Sequence, residues 1–209
     1  MNIIPQYWIF ESIVDKNKIV RQIERAGRTC YKSEKETTLL EAEDFCRKLI
    51  ASGHLSVIEH CYISVRIVTN RGVTHEIVRH RLASYSQEST RYCDYSGEVT
   101  FIEPVFEMPE SFYNFLKTCE EEYQHLRSQG LSPQKAREVL PNALKTEIVM
   151  TCNLREWRHF FTLRTSPAAH PQLRALATDM LAGFMFYLPC IFEDIKFETT
   201  RRRSQCTTE

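Results

Sequence analysis

The sequence predicts an α+β fold in which helices pack on a mainly antiparallel sheet. Helical apolar stripes and stretches of alternating β-branched residues are both present, so the fold mixes the two element types. They do not follow one another as regular strand–helix–strand units, which argues against a doubly wound parallel sheet. The 209 residues include only six glycines, with no Gly-x-Gly-x-x-Gly and no Walker loop. A Rossmann-type dinucleotide fold would lack its turn residues.

The elements follow in order. Residues 3–14 hold Ile3, Ile4, Tyr7, Trp8, Ile9, Phe10, Ile13 and Val14 and read as a strand. Asp15 is an N-cap, and Ile19, Val20, Ile23 and Ala26 recur at helical spacing as far as Gly27. Thr37 or Thr38 opens a second helix, with Leu39, Leu40, Ala42, Phe45, Leu49 and Ile50 inward and Gly53 at its end. Residues 61–69 alternate through Ile63, Val65 and Ile67, a strand. Asn70-Arg71-Gly72 reads as a turn, and residues 73–81 as a short helix carrying Arg79-His80-Arg81. Residues 99–106 look extended. Residues 110–129 form a helix on Phe112, Phe115, Leu116, Cys119, Tyr123 and Leu126, stopped by Gly130. Ser132-Pro133 restarts a helix that residues 136–140 continue to Pro141. Residues 148–152 read as strand, Asn153 caps a helix through Arg164, and residues 171–187 form a last long helix. The Arg201-Arg202-Arg203 tail is polar and expected to fray.

Length and patterning suit one domain spanning residues 1–209. The 27 basic and 27 acidic residues cancel, so no global field draws the chain to nucleic acid or an anionic membrane. No apolar run has the length of a membrane span, and the N-terminus lacks the pattern of a secretion signal. Eight cysteines are scattered without a Cys-x-x-Cys pair, which implies reduced thiols and a cytoplasmic setting.

Local clustering therefore matters more than net charge. Between Arg66 and Arg91 there are five arginines against two glutamates. Arg79, His80, Arg81 and Arg91 share thirteen residues with the Ser and Thr hydroxyls at positions 84, 86, 89 and 90. Guanidinium groups bind phosphate and carboxylate oxygens in planar, bidentate fashion and stay charged at any physiological pH. Such a stretch suits a small anion rich in acceptors, whereas its bland alternative is a solvated helix face. Two other readings are open on residue types alone. Arg79, Arg81, Arg91 and the Arg201–Arg203 tail, with Tyr85, Tyr92 and Tyr95, could hold nucleic acid, though zero net charge opposes this. His54, Glu59 and His60 could suggest a metal-dependent hydrolase, but a His-to-His spacing of six is not a helical i,i+4 pair.

Arg-His-Arg followed by seven residues and Ser89 resembles the hallmark of the flavin-dependent thymidylate synthases. Four further segments match that family in order: residues 53–60, 71–81, 137–141 and 153–164. The resemblance implies a non-Rossmann flavin-binding fold, with FAD contacted by Ser56, Arg79, His80, Arg81, Gln87, Asn153, Arg155 and His159. His54 would lie near the flavin ring. It implies dUMP contacts from Glu76, Arg79, Gln87, Glu88, Ser89, Thr90, Arg91, Arg137 and Arg164, and no metal. Glu76 stands where most members have glutamine, His170-Pro171-Gln172 replaces the commoner His-Ala-Gln, and Arg174 stands where many are acidic.

The implied reaction is reductive methylation of dUMP to dTMP. Methylenetetrahydrofolate supplies the carbon and reduced FAD the hydride, with NADPH as the usual reductant. Arg164 resembles the arginine facing the uracil ring and is the candidate catalytic residue. No cysteine has the context of a nucleophile, and Cys93 and Ser89 read as structural and ligand-contacting respectively. The family forms tetramers whose sites lie where subunits meet. Arginines on three separate elements of a glycine-poor chain fit a homotetramer with shared sites.

Overall fold

The structure, a computed structural model, describes residues 1–197. Tyr7–Phe10 (β2), Tyr62–Asn70 (β3), Ala83–Gln87 (β4) and Lys145–Asn153 (β6) form a four-stranded sheet in the order β2–β3–β6–β4, antiparallel throughout. Asn2–Ile4 (β1) pairs in parallel with Thr100–Ile102 (β5) in a separate two-stranded sheet. The mainly antiparallel α+β expectation holds.

Alternation along the strands gives the larger sheet two unlike faces. Val65 lies opposite Met150 and Ile67 opposite Ile148, and all four are fully buried. Lys16–Thr29 (α1), Leu39–Ala51 (α2), Leu154–Arg164 (α6), Pro171–Tyr187 (α7) and Pro189–Phe192 (α8) contribute to the core built on that face. Trp157 stacks on Phe161 at 5.7 Å between centroids, and Phe161 meets Phe184 edge-on at 4.9 Å. Each such side chain contributes about 1.5–3 kcal/mol when fully buried. The opposite face is open, leaving Tyr7, Ile9 and Tyr62 exposed. A second, smaller core joins Val99, Phe101 and Leu144 to Leu116 and Tyr123 of Glu110–Ser128 (α4) and Ala136 of Pro133–Ala136 (α5).

The caps read from sequence form. Asp15 accepts from the Lys18 N–H, Thr38 makes a reciprocal capping box with Glu41, and Asn153 accepts from the Glu156 N–H. Several boundaries differ. Residues 3–14 are not one strand: the chain breaks after Ile4 at Pro5, so β1 and β2 join different sheets. Asn70 is a helix cap, accepting from the Val73 N–H at 2.8 Å, so Arg71–Ile77 (α3) starts and ends earlier than its pattern suggests. The Arg79-His80-Arg81 triplet lies on the turn after that helix. The Tyr85 hydroxyl secures the turn by reaching the carbonyls of Ile77 and His80 at 2.9 and 2.7 Å. β4 had no counterpart in the sequence reading, because Ser84, Ser86 and Gln87 hide its alternation and pairing with β6 supplies the strand. Only Thr100–Ile102 of residues 99–106 is strand, and β6 runs longer than residues 148–152. The helix at 133 stops at Ala136, with a 3₁₀ turn over Arg137–Val139. Residues 201–203 lie outside the described residues.

Candidate active site

Two clusters of functional side chains flank α3, and a third group lines the start of α6. Beyond the C-terminal end of α3, His80 is buried with 4% exposure and packs edge-on against Phe160 at 5.0 Å. Its Nδ1 lies 2.9 Å from Glu156 Oε1, and its Nε2 lies 3.0 Å from Arg164 Nε. Arginine has no acceptor, so Nε2 must be the acceptor and Nδ1 must carry the proton, which it donates to Glu156. Arg164 also donates through Nη1 to Glu76 Oε2 at 3.1 Å and through Nη2 to the Glu76 carbonyl at 3.2 Å. Glu76 therefore pairs across space with Arg164, and not with Arg79 three residues on. Helix periodicity explains the reach: Arg164 continues the buried stripe of Trp157 and Phe160.

Burial holds His80 below its ordinary value, and the Arg164 charge pushes the same way against the opposing pull of Glu156. His80 is thus neutral at pH 7. His80, Glu156 and His159 also place ligand atoms within 4.8 Å of one another. A cation there would compete with Arg164 for the one imidazole lone pair and sit beside its positive charge, so hydrogen bonding is the better account.

The second cluster surrounds the turn after β4. Gln87 donates from Nε2 to Thr74 and Thr146 at 3.0 and 3.2 Å, leaving its Oε1 for another partner. Glu88 accepts from the Tyr95 hydroxyl at 2.6 Å and pairs with Lys145 at 3.1 Å, so its carboxylate is engaged within the fold. Ser89 starts a turn in which its hydroxyl accepts from the Arg91 N–H. Arg91 is exposed, bonded through Nε to Gln134 at 2.7 Å and set over Tyr92 at 5.3 Å. Arg137 donates to Thr90 at 3.3 Å, and both line an open pocket with Arg71, Asn142 and Leu144. Arg71 was missed by the sequence reading, although its guanidinium completes this basic pocket; its position at the start of α3 was the available signal.

The third group is exposed. Ser56 sits on the 3₁₀ helix Leu55–His60, positioned by the left-handed Gly53 (φ 75°) at the end of α2. Glu59 of that helix pairs with Arg155 at 2.5 Å, fastening it to α6. His159 lies edge-on to His80 at 5.6 Å. Asn153 is engaged as the α6 cap. Arg79 and Arg81 are exposed, and neither has an ion-pair partner among the described residues. Of the tyrosines considered for base stacking, Tyr85 and Tyr95 have engaged hydroxyls and half-buried rings, and Tyr92 is exposed beside Arg91.

A protein-family model described as thymidylate synthase complementing protein matches residues 12–190. The chain belongs to the flavin-dependent thymidylate synthase family. The Geobacter sulfurreducens protein of that name is 36% identical over 182 residues, covering 81% of this chain and 78% of the relative. The Mycobacterium tuberculosis H37Rv protein is 32% identical over 208 residues, covering 89% and 83%. A crystal structure of the UMP/dUMP methylase PolB from Streptomyces cacaoi, bound with 5-Br dUMP, superposes with a TM-score of 0.78. It is 20% identical and covers 92% of this chain and 96% of that one, which shows a common fold.

The family's name implies a flavin, and the donor set fits one. Two exposed guanidiniums without ion-pair partners among the described residues, Arg79 and Arg81, would suit its phosphates, and Ser56 and His159 are exposed polar groups beside them in the donor set. The His-Pro-Gln departure is accommodated locally. Pro171 takes the first helical position, where an N–H is dispensable, and Gln172 binds the backbone of residues 103 and 105.

Proposed function

We propose that this enzyme converts dUMP to dTMP by reductive methylation, with FAD as cofactor and methylenetetrahydrofolate and NADPH as co-substrates. The observation that carries the reading is the state of Arg164. A guanidinium has five N–H donors, and the three held by His80 and Glu76 leave one on each Nη. Its side chain is 18% exposed, so these two donors are held in a mostly dry site. Uracil offers adjacent acceptors at O2 and ionised N3. A preorganised cation there stabilises the ring anion and makes C5 nucleophilic, a contribution worth a few kcal/mol, roughly 2.7–4 for one such donor.

The dUMP phosphate would bind to Ser89, Thr90, Arg91 and Arg137, with Arg71 lining the same pocket as Thr90, Arg137 and Glu138. Gln87 would direct its free Oε1 to ligand. Arg79 and Arg81 would hold the FAD diphosphate, with Ser56, Asn153, Arg155 and His159 along the cofactor. When bound, the flavin supplies the hydride, renewed by NADPH. In the overall change the C5 proton is lost, the folate methylene carbon bonds to C5, and the hydride completes the methyl group, releasing tetrahydrofolate. The reading calls on no enzyme thiolate: Cys46, Cys61, Cys119, Cys152 and Cys190 are buried, with burial pushing Cys61 up to about 11, while Cys30 is exposed and Cys93 half-buried. The setting is the cytoplasm, and no helix among the described residues is long and apolar enough to cross a membrane.

The test is an absorbance spectrum followed by a dTMP assay. A yellow protein is expected, with FAD released intact by heat and dTMP formed only when dUMP, methylenetetrahydrofolate and NADPH are all present. Protein that stays colourless after FAD loading, or forms dTMP without reduced flavin, would overturn the reading.

A further inference from the structure

We propose that Glu156 and His80 are positioning residues that fix the Arg164 guanidinium through a buried chain of hydrogen bonds, Glu156 Oε1 to His80 Nδ1–H and His80 Nε2 to Arg164 Nε–H. The inference rests on Arg164 acting on the uracil ring as proposed above. Neither group reaches the surface to a useful extent: His80 is 4% exposed and Glu156 6%. They are better placed to act through Arg164 than to touch a ligand.

Each link constrains the next. The Nε–H of arginine is obligately a donor, so it selects the His80 tautomer with a bare Nε2. That tautomer needs an acceptor for Nδ1–H, and Glu156 is the buried carboxylate in place to provide it. Asn153 fixes the Glu156 backbone in the first turn of α6 by accepting its N–H at 2.9 Å. Glu76, from α3, holds the other side of the guanidinium. The two ends of α6 thus support one another through an imidazole from the turn after α3, and rotation of Arg164 about its last bonds is blocked from both sides.

The arrangement has a defined acid limit. The groups facing His80 are Glu156, His159 and Arg164 from α6, while Tyr85 from β4 donates to its carbonyl. Burial and Arg164 both lower the His80 pKa from 6.5, so the neutral ring persists at neutral pH. Protonation at lower pH would put a proton on Nε2, opposing Arg164 Nε–H and ending the link.

Two variants separate the roles. His80→Gln can place its carbonyl oxygen near the Nε2 position and accept from Arg164, whereas His80→Asn reaches only toward the Nδ1 position. His80→Asn is expected to lose about a hundredfold in kcat for dTMP formation, the scale of a misplaced catalytic group, and His80→Gln markedly less. FAD affinity and the dUMP KM should change little in both. Equal kcat losses with a parallel fall in FAD affinity would assign His80 to the flavin site instead, and wild-type kcat in both would remove the role altogether. A readout on the unmodified protein stands beside these if either variant fails to fold. In ¹⁵N-histidine-labelled protein at pH 7, His80 should show the neutral Nδ1–H tautomer; an Nε2–H tautomer or an imidazolium overturns the chain. This spectrum does not depend on turnover, so a protein inactive toward dUMP would refute the functional reading separately.

Discussion

At the scale of the residue, three arginines far apart in the sequence have been given different tasks by their partners. Arg164 is fixed by His80 and Glu76, Arg137 leans on Thr90, and Arg91 is exposed with one bond to Gln134. Only the last two share a neighbourhood with Ser89, Thr90 and Arg71, where a phosphate would find several donors. Arg91→Ala should therefore weaken dUMP binding by about 1.5–3 kcal/mol, roughly ten- to a hundredfold, while FAD binding is nearly unchanged. Arg71→Ala should act in the same direction. Titration calorimetry with each ligand separates the two sites, and equal losses for dUMP and FAD would make these arginines structural.

At the scale of the element, α6 joins the site to the core. Its buried stripe carries Trp157, Phe160 and Phe161, its last turn presents Arg164, and its first turn presents Glu156. Asn153 governs that first turn through its side-chain cap. Asn153→Ala should cost about 1 kcal/mol of stability, as loss of a helix N-cap does, and should also lower kcat at saturating FAD by loosening Glu156. Thr38→Ala removes a comparable cap from α2, whose described contacts are with α1 and α8 rather than with the Arg164 cluster. It should lower the melting temperature without changing kcat at a temperature where both proteins are folded. Thermal melts alongside steady-state kinetics distinguish the cases; an unchanged kcat in Asn153→Ala would mean that the first turn is held by packing alone.

At the scale of the whole molecule, the four-stranded sheet is covered by helices on one face only. Tyr7, Ile9, Tyr62 and the Arg66 pairs with Glu11 and Glu147 lie on the other. The proposed sites are similarly unfinished: the pocket lined by Arg71, Thr90 and Arg137 is open, and Arg79 and Arg81 are exposed. A second copy could supply what a single chain leaves exposed, and symmetry would repeat the arrangement. Light scattering should show a tetramer. Mixing inactive Arg91→Ala and Arg164→Ala subunits should then restore part of the activity, because some sites would take Arg91 from one variant and Arg164 from the other. A fully active monomer would refute shared sites, whereas a tetramer without restoration would place these two arginines in one site from a single chain.

The sequence by itself determined the α+β class, the caps at Asp15, Thr38 and Asn153, and the full extent of the helix from Pro171 to Tyr187. These depend on local chemistry: a side-chain oxygen near free N–H groups, a proline at a first turn, apolar residues at helical intervals. Charge clustering in a neutral chain also drew attention to the Arg79–Arg91 stretch, whereas Arg164 came only from the resemblance to the family. Tertiary structure decided the rest. The polar run Ala83–Gln87 is a strand only because β6 lies beside it, and Pro5 divides the first strand because β1 and β2 have different partners. Glu156 could not be recognised from its place in the chain, 76 residues from His80. Nor could the pairing of Glu76 with Arg164, which required α6 to return beside α3. A burial-dependent tautomer and a long-range ion pair have no local signature, since both arise only when separate elements exclude water from the same few side chains.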